Sequence, residues 1–456
     1  MRVTQRGSCT MLVADALGEF VAGFDAARVT PQLWRKLEDL LIDAIGAAAA
    51  AQHLPAVGAV RATASALFRD GPSLVWFDGR HLSPVASAYA NSAAASALDV
   101  DDGHRAAIGH PGAPIISSVL AEAAERETSP QRLAAAILLG YEVGVRAAAA
   151  QADRLQTRLY ATGRWASLGV ATAVGYLRGY DASRIAQALA IAAAHRPSLI
   201  PQGHGLKVGH VKEGIPWATV TGFAAAELAG NGFLGSPDLL DLAHLFDRGV
   251  FLDNLGEGFL LESTYIKPYS CCRWNHAALD ALLSLMREQG LAPGDIEAVE
   301  VATFGAAVRM DNKPSPATVE AAQFSIPFSL AAVAIDGPGS MLPIEPSLLG
   351  RPDVVAFAEK VSLRLDPVFE ARFPGETPAH VTLRTTKGTF GRLVEHPRGE
   401  PANPLSRAEI EAKFRKLSGI VCNAQRQDWI LTAIGDLRRA GADSLLAALS
   451  GASPLD

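Results

Sequence analysis

From residue 12 to about residue 246, apolar residues recur at helical spacing in Ala- and Leu-rich segments separated by short Gly, Pro or Asp punctuation. The spacing predicts helices over 33–51, 84–97, 130–149, 166–178 and 182–194. Alanine has the best helix propensity and lets helix axes approach closely, so these segments are expected to pack as a buried bundle. Several helix starts carry their own signals. Thr30-Pro31 and Ser129-Pro130 each put a hydroxyl at the cap with proline in the first turn, and Asp181 precedes Ala182-Ser183-Arg184 in the same role.

Past about residue 267 the pattern changes. Strand-like runs at 296–303, 361–365 and 380–386 mix with helical patterns at 276–289 and 324–335, which predicts an α+β module. Thr385-Thr386-Lys387-Gly388-Thr389 places a turn between two strand-like runs and is expected to close a β-hairpin. Beyond Pro401 the helical pattern returns, at 406–417 and 426–440. The expected organisation is mainly α with a smaller α+β domain. A large helical bundle over 1–265 is rejoined by C-terminal helices over 403–456, and residues 266–402 form an α+β lid. No internal repeat is visible.

Composition narrows the class. At 456 residues and 49% hydrophobic, the chain exceeds what one core usually serves, in keeping with two domains. Lys+Arg 41 against Asp+Glu 47 gives a net charge of -6 without long runs of one sign, so nucleic acid is not an expected partner. The most apolar stretch, 40–51, is about half of the roughly 20 residues a membrane span needs, and no membrane partner is expected. Asp15, Glu19 and Asp25 interrupt the N-terminal apolar pattern, which reads as a first helix and not a signal peptide. Cys9, Cys271, Cys272 and Cys422 are too sparse for a disulfide framework, and Cys271-Cys272 lacks CxxC spacing; a cytoplasmic location is expected.

Four polar clusters carry candidate chemistry. Asp99-Val100-Asp101-Asp102-Gly103-His104, followed by His110-Pro111-Gly112, lies between two alanine-rich helices. Asp and His exchange protons near neutral pH when burial and neighbouring charge shift them, which offers a general base with an orienting partner. The plainer explanation is a solvated turn with helix caps. Cation binding is a rival, but the spacing fits no EF-hand: Gly103 falls where a third oxygen ligand belongs and His110 where the glutamate belongs. No metal is expected.

The second cluster runs from His204 to Gly214 and includes Lys207, His210, Lys212 and Glu213, ahead of an apolar helix around 217–228. Positive charge at a helix start opposes the helix dipole, so an anionic partner is expected there. The third, Lys267-Pro268-Tyr269-Ser270-Cys271-Cys272-Arg273-Trp274-Asn275-His276, sits where the helical half gives way to the α+β module, and domain junctions favour ligand clefts. Cys272 and His276 are close neighbours at a helix start, unlike the dispersed partners of cysteine hydrolases, so an acidified thiol there need not be a nucleophile. The fourth is Tyr160-Ala161-Thr162-Gly163-Arg164-Trp165. A tyrosine needs a depressed pKa to act as a base, and Arg164 or nearby lysines would supply it; a helix entry with a buried tyrosine is the plainer explanation.

Taken in order, these segments resemble the MmgE/PrpD family across nearly the whole chain. The matching stretches are Leu41-Ile42-Asp43-Ala44-Ile45-Gly46, Ala97-Leu98-Asp99-Val100-Asp101-Asp102 with His110-Pro111, Gly140-Tyr141-Glu142-Val143, Ala161-Thr162-Gly163 and Gly222-Phe223-Ala224-Ala225-Ala226-Glu227-Leu228-Ala229. Lys267-Pro268-Tyr269 with Cys272 and His276, and Gly399-Glu400-Pro401-Ala402-Asn403-Pro404-Leu405-Ser406, complete the series.

The resemblance implies a helical domain from both chain ends, a smaller α+β lid, a homodimer, and an active site between domains without a required cofactor. It also implies activities such as 2-methylcitrate dehydration, cis-aconitate decarboxylation or iminodisuccinate epimerisation. By position Asp99, His110, Lys212 and Lys267 match the family's polar site residues, with Lys207 as the alternative lysine. His104, Arg164, His210, Cys272, Arg273 and His276 are expected to contact the substrate, Arg273 through a bidentate carboxylate pair.

Departures bear on the reaction. Gly103 stands where decarboxylase- and dehydratase-like members have threonine, Tyr160 where they have histidine, and Cys272 where cis-aconitate decarboxylases have histidine. The expected function is cofactor-independent proton transfer next to a carboxylate of a small di- or tricarboxylic acid. Epimerisation, with Tyr160 and either Lys212 or His110 on opposite faces, is favoured over lyase chemistry of the dehydratase or decarboxylase type. A non-catalytic helical binding protein is a third class, and it requires Asp99, His110, Lys212 and Lys267 to lie far apart.

Overall fold

A computed structural model describes residues 11–152, 154–158, 160–198 and 207–451. Among these residues helices dominate, and β-structure is confined to one four-stranded sheet and two short strand pairs. The protein is mainly α with a smaller α+β part.

The alanine-rich segments form helices Pro31–Ala50, Pro84–Ser96, Pro130–Ala149, Ala166–Leu177 and Ala182–His195. The side chains of Thr30, Ser129 and Asp181 accept hydrogen bonds from the amides of Leu33, Arg132 and Arg184 at 3.3, 3.3 and 2.8 Å, satisfying first-turn donors. Helix Pro84–Ser96 is buried on almost every face, which accounts for its uniform run of small residues in place of an amphipathic stripe. A Cβ on Gly169 would lie 2.7 Å from the Gly140 carbonyl oxygen, so helices Pro130–Ala149 and Ala166–Leu177 meet backbone to backbone.

Helix Arg407–Ser418 packs against Pro31–Ala50. Phe414 lies over Gly46, Lys413 pairs with Asp43, and Arg407 reaches Glu38 and Asp39. The C-terminal helices thus return to the first helical segments.

The sheet has the order Val361–Leu365, Ile296–Thr303, Ala379–Thr385, Gly388–Val394. Its first pair is parallel and the others antiparallel, with Thr385 opposite Gly388 at the hairpin end. Val299, Val301, Val381 and Leu383 are buried on the inner face, where helix His276–Gln289 packs.

A strand pair without a sequence signal links distant stretches: Gly103 pairs with Tyr265 and His104 with Thr264. It lays the acidic turn alongside the segment that leads into Lys267. A Cβ on Gly103 would meet the Tyr265 ring at 2.4 Å, so this register needs glycine. Among the described residues no single helix is long and apolar enough to cross a membrane.

Candidate active site

Three turns deliver the charged groups to one place. Asp99 and Asp101 follow helix Pro84–Ser96, Lys212 and Glu213 precede helix Ile215–Gly230, and Lys267 follows strand Thr264–Tyr265, while His110 comes just before helix Gly112–Glu125. Lys267 Nζ lies 2.8 Å from Asp99 Oδ1, 3.0 Å from the Asp99 carbonyl oxygen and 3.4 Å from His110 Nδ1. His110 Nε2 is 3.3 Å from Asp99 Oδ1 and its Nδ1 is 3.1 Å from Asp101 Oδ1. Lys212 Nζ donates to the Ser96 carbonyl at 3.1 Å and lies 3.9 Å from Asp99 Oδ1. Asp99, Ile108 and Lys212 have φ of 55°, 49° and 47°, a left-handed conformation that residues with a Cβ rarely adopt. All three line the same cavity, where backbone strain concentrates at functional sites.

That cavity is partly open and spans about 600 Å³ when the solvent at its mouth is included. Asp99, His110, Lys212 and Lys267 form its charged wall, and Tyr160, Trp274, Phe324 and Phe373 an aromatic one. Phe373 stacks on Phe304 with ring centroids 4.8 Å apart, and the Trp274 ring meets both edge-on. The charged wall is mostly helical-half sequence and the aromatic wall mostly α+β sequence, so the cavity lies between the two parts. The convergence removes the binding-protein reading that required these groups to be scattered.

Burial and charge compete over each ionisation. Burial pushes the Asp99 carboxyl up, but Lys212, Lys267 and His110 together overcome it and hold it well below the usual range. Burial likewise lowers Lys267, yet Asp99, Asp101 and Tyr265 leave it above its ordinary value, so this lysine stays an ammonium. Glu213 is pushed up by burial. Asp99, Asp101 and His110 present ligand atoms within 4.8 Å of one another, an arrangement that suits a cation; the Lys267 ammonium, itself bonded to Asp99, already supplies one.

A buried layer supports the acidic turn. Lys413 donates to the Val100 carbonyl at 2.6 Å and pairs with Asp43. Asp102 accepts from Tyr141 Oη at 2.7 Å and from the Gly112 amide at 2.9 Å, and burial with the neighbouring Asp101 pushes its carboxyl up to about 7.

Residues 15–256 match the MmgE/PrpD N-terminal domain and residues 269–437 match the MmgE/PrpD C-terminal domain. The chain belongs to the MmgE/PrpD family. It is similar to human cis-aconitate decarboxylase, 23% identical over 433 residues that cover 88% of this chain and 87% of that one. It is 26% identical to the cis-aconitate decarboxylase of Aspergillus terreus over 385 residues, 76% of this chain and 77% of that one. The cis-aconitate decarboxylase-like protein oryM of Aspergillus oryzae is 23% identical over 476 residues, covering 96% and 97%.

Several expected contacts of this MmgE/PrpD protein are corrected by the structure. Burial, then Glu213 and Cys272, raise Tyr160, opposite to the depression a base needs, and Arg164 turns away to Gln151 and Ser198 at 3.3 Å each. Arg273 lines the cavity, but its donors are engaged within the chain. Its fork is occupied by Glu400 at 2.9 and 3.0 Å and by the carbonyls of Arg398 and Pro397. His276 is buried behind it, 3.0 Å from Arg273 Nη1 and 3.2 Å from the Cys271 carbonyl, and does not line the cavity. His104 lines the cavity with both ring nitrogens engaged, by the Leu260 carbonyl and the Ala106 amide, and burial lowers it to about 4. Cys272 also lines it, but burial pushes its thiol up to about 12 and leaves it uncharged.

Of the two lysines in the glycine-rich cluster, Lys212 reaches the cavity while Lys207 is exposed outside it; residues 204–206 lie outside the described residues. The chain's own Asp99 carboxylate lies 3.9 Å from the Lys212 amine at this helix start. His210 is exposed, 3.6 Å from Glu320.

The sequence named Asp101 and Glu213 only as members of their clusters, without a role, and did not single out Arg105 or Tyr265, which also line the cavity. Glu213 accepts from the Thr162 amide at 2.6 Å and so ties the Tyr160 turn to the Lys212 turn; its place beside Lys212 was the available signal. Tyr265 lies between the guanidinium groups of Arg105 and Arg273, 5.0 and 4.8 Å from its ring centre, and nothing local announces it.

Proposed function

We propose that this protein is a lyase that decarboxylates a small unsaturated tricarboxylate of the cis-aconitate type and protonates the carbon at the far end of the shifted double bond. The observation that carries the reading is that the Asp99, His110, Lys212 and Lys267 cluster and a buried Tyr160 line one cavity. Loss of carbon dioxide breaks a carbon–carbon bond, and the electron pair moves through the alkene onto a second carboxylate as a dienolate. Lysine ammonium groups fixed beside that oxygen stabilise the new charge without reorganising. A proton then goes to the carbon next to that carboxylate. Tyr160, kept protonated by burial, has a proton to give, although the same burial penalises the phenolate left behind, and Lys212 is the other candidate. The similarity to cis-aconitate decarboxylases supports the same class.

Epimerisation is the second reading; it rests on Gly103 and Tyr160 standing where the family resemblance implies the threonine and histidine of lyase-type members. It needs a base that removes an α-proton, a role the raised Tyr160 pKa opposes. Incubation with cis-aconitate in deuterated buffer, followed by proton NMR, is expected to show carbon dioxide release and one deuterium in the product. α-Exchange and racemisation of one iminodisuccinate enantiomer, with no decarboxylation or dehydration of tricarboxylates, would overturn the lyase assignment.

A further inference from the structure

Next to the first cavity lies a second, partly open one that spans about 490 Å³ when the solvent at its mouth is included. Val57 and Val60 of helix Pro55–Leu67, Ala93 of helix Pro84–Ser96, and Ile215 and Pro216 at the start of helix Ile215–Gly230 make it mostly apolar. It shares His110, Lys212 and Glu213 with the first cavity. Lys212, held by the Ser96 carbonyl at 3.1 Å and lying 3.9 Å from Asp99, borders both spaces, and Ser96 itself lines the second.

We infer that the second cavity is a subsite for an apolar substituent, longer than a methyl group, carried by the polycarboxylate substrate. The inference rests on reading the first cavity as the polycarboxylate lyase site. A small tricarboxylate carries charge on every arm and gains nothing from an alkyl-lined space, whereas a hydrocarbon tail beside the anionic head gains by leaving water. Lys212, which borders both spaces, would contact both the anionic head and the tail. Such a pocket discriminates by chain length at about fourfold per buried methylene. A mere entry route for charged substrate would show no dependence on length.

The test uses the whole protein and a non-reacting series: succinate, 2-methylsuccinate, 2-propylsuccinate and 2-butylsuccinate, titrated by calorimetry. Affinity is expected to rise about fourfold per methylene from methyl to butyl. Val60→Trp, which fills the cavity from a half-buried position, is expected to return butylsuccinate to the affinity of methylsuccinate, and Ala93→Leu serves if that variant does not fold. A flat series, or a rise that persists in the filled variants, overturns the subsite. Turnover of cis-aconitate with a flat series refutes the subsite alone. A rising series without turnover of any tricarboxylate, alkylated or not, refutes the lyase reading alone.

Discussion

Lys413→Met removes one ammonium from a buried pair whose partner, Asp43, is 370 residues away in sequence. Burial lowers Lys413 and raises Asp43, so desolvation outweighs their mutual attraction and the pair is a poor net stabiliser. Removing one member is nevertheless costly. Asp43 Oδ2 already has no hydrogen-bond partner, and the variant would strip Oδ1 as well and leave the Val100 carbonyl without its 2.6 Å donor. Breaking a buried pair in this way costs about 3–5 kcal/mol. In Asp43→Leu/Lys413→Met the stranded carboxylate is gone, and what remains is the unsatisfied Val100 carbonyl, about 1–3 kcal/mol. Guanidinium unfolding of both variants measures the two values. Because Val100 sits between Asp99 and Asp101, the double variant is also expected to lose turnover where it remains folded, which an activity assay well below the unfolding midpoint reads. The reasoning is wrong if the single variant loses less than about 1 kcal/mol, or if the double variant is no more stable than the single.

Tyr160→Phe is expected to lower kcat by about 10²–10⁴-fold with little change in KM, and the native pH–rate profile to lack a phenol ionisation in the neutral range; unchanged kcat removes Tyr160 as proton donor. Asp102 has its carboxyl raised from 3.8 to about 7, so the folded state holds a proton that the unfolded chain gives up in that window. Its contribution to stability is complete below the unfolded pKa and is lost as pH rises through the folded one, at about 1.4 kcal/mol per unit at most; urea unfolding across the window should show a flatter slope in Asp102→Asn. Gly103→Thr would drive its Cβ into the Tyr265 ring and is expected to cost about 1–3 kcal/mol, with much of the loss recovered by Tyr265→Val, as thermal unfolding of the three variants would show.

Local chemistry placed most of the alanine-rich helices to within two residues, but gave no sign of helices Pro55–Leu67 and Gly112–Glu125. Thr30, Ser129 and Asp181 cap their helices as a reading of hydroxyl, carboxylate and proline spacing requires, and strands Ile296–Thr303 and Val361–Leu365 fall where β-branched runs placed them. These features were legible because a cap or a period involves residues a few positions apart. Ordered family resemblance singled out Asp99, His110, Lys212 and Lys267, and these four line one cavity. Tertiary structure alone decided that Lys212, and not Lys207, enters the cavity, that Glu400 occupies Arg273, 127 residues away, and that Tyr160 is held protonated. Charge state and side-chain availability depend on burial and on partners brought from far along the chain, and a linear pattern carries neither.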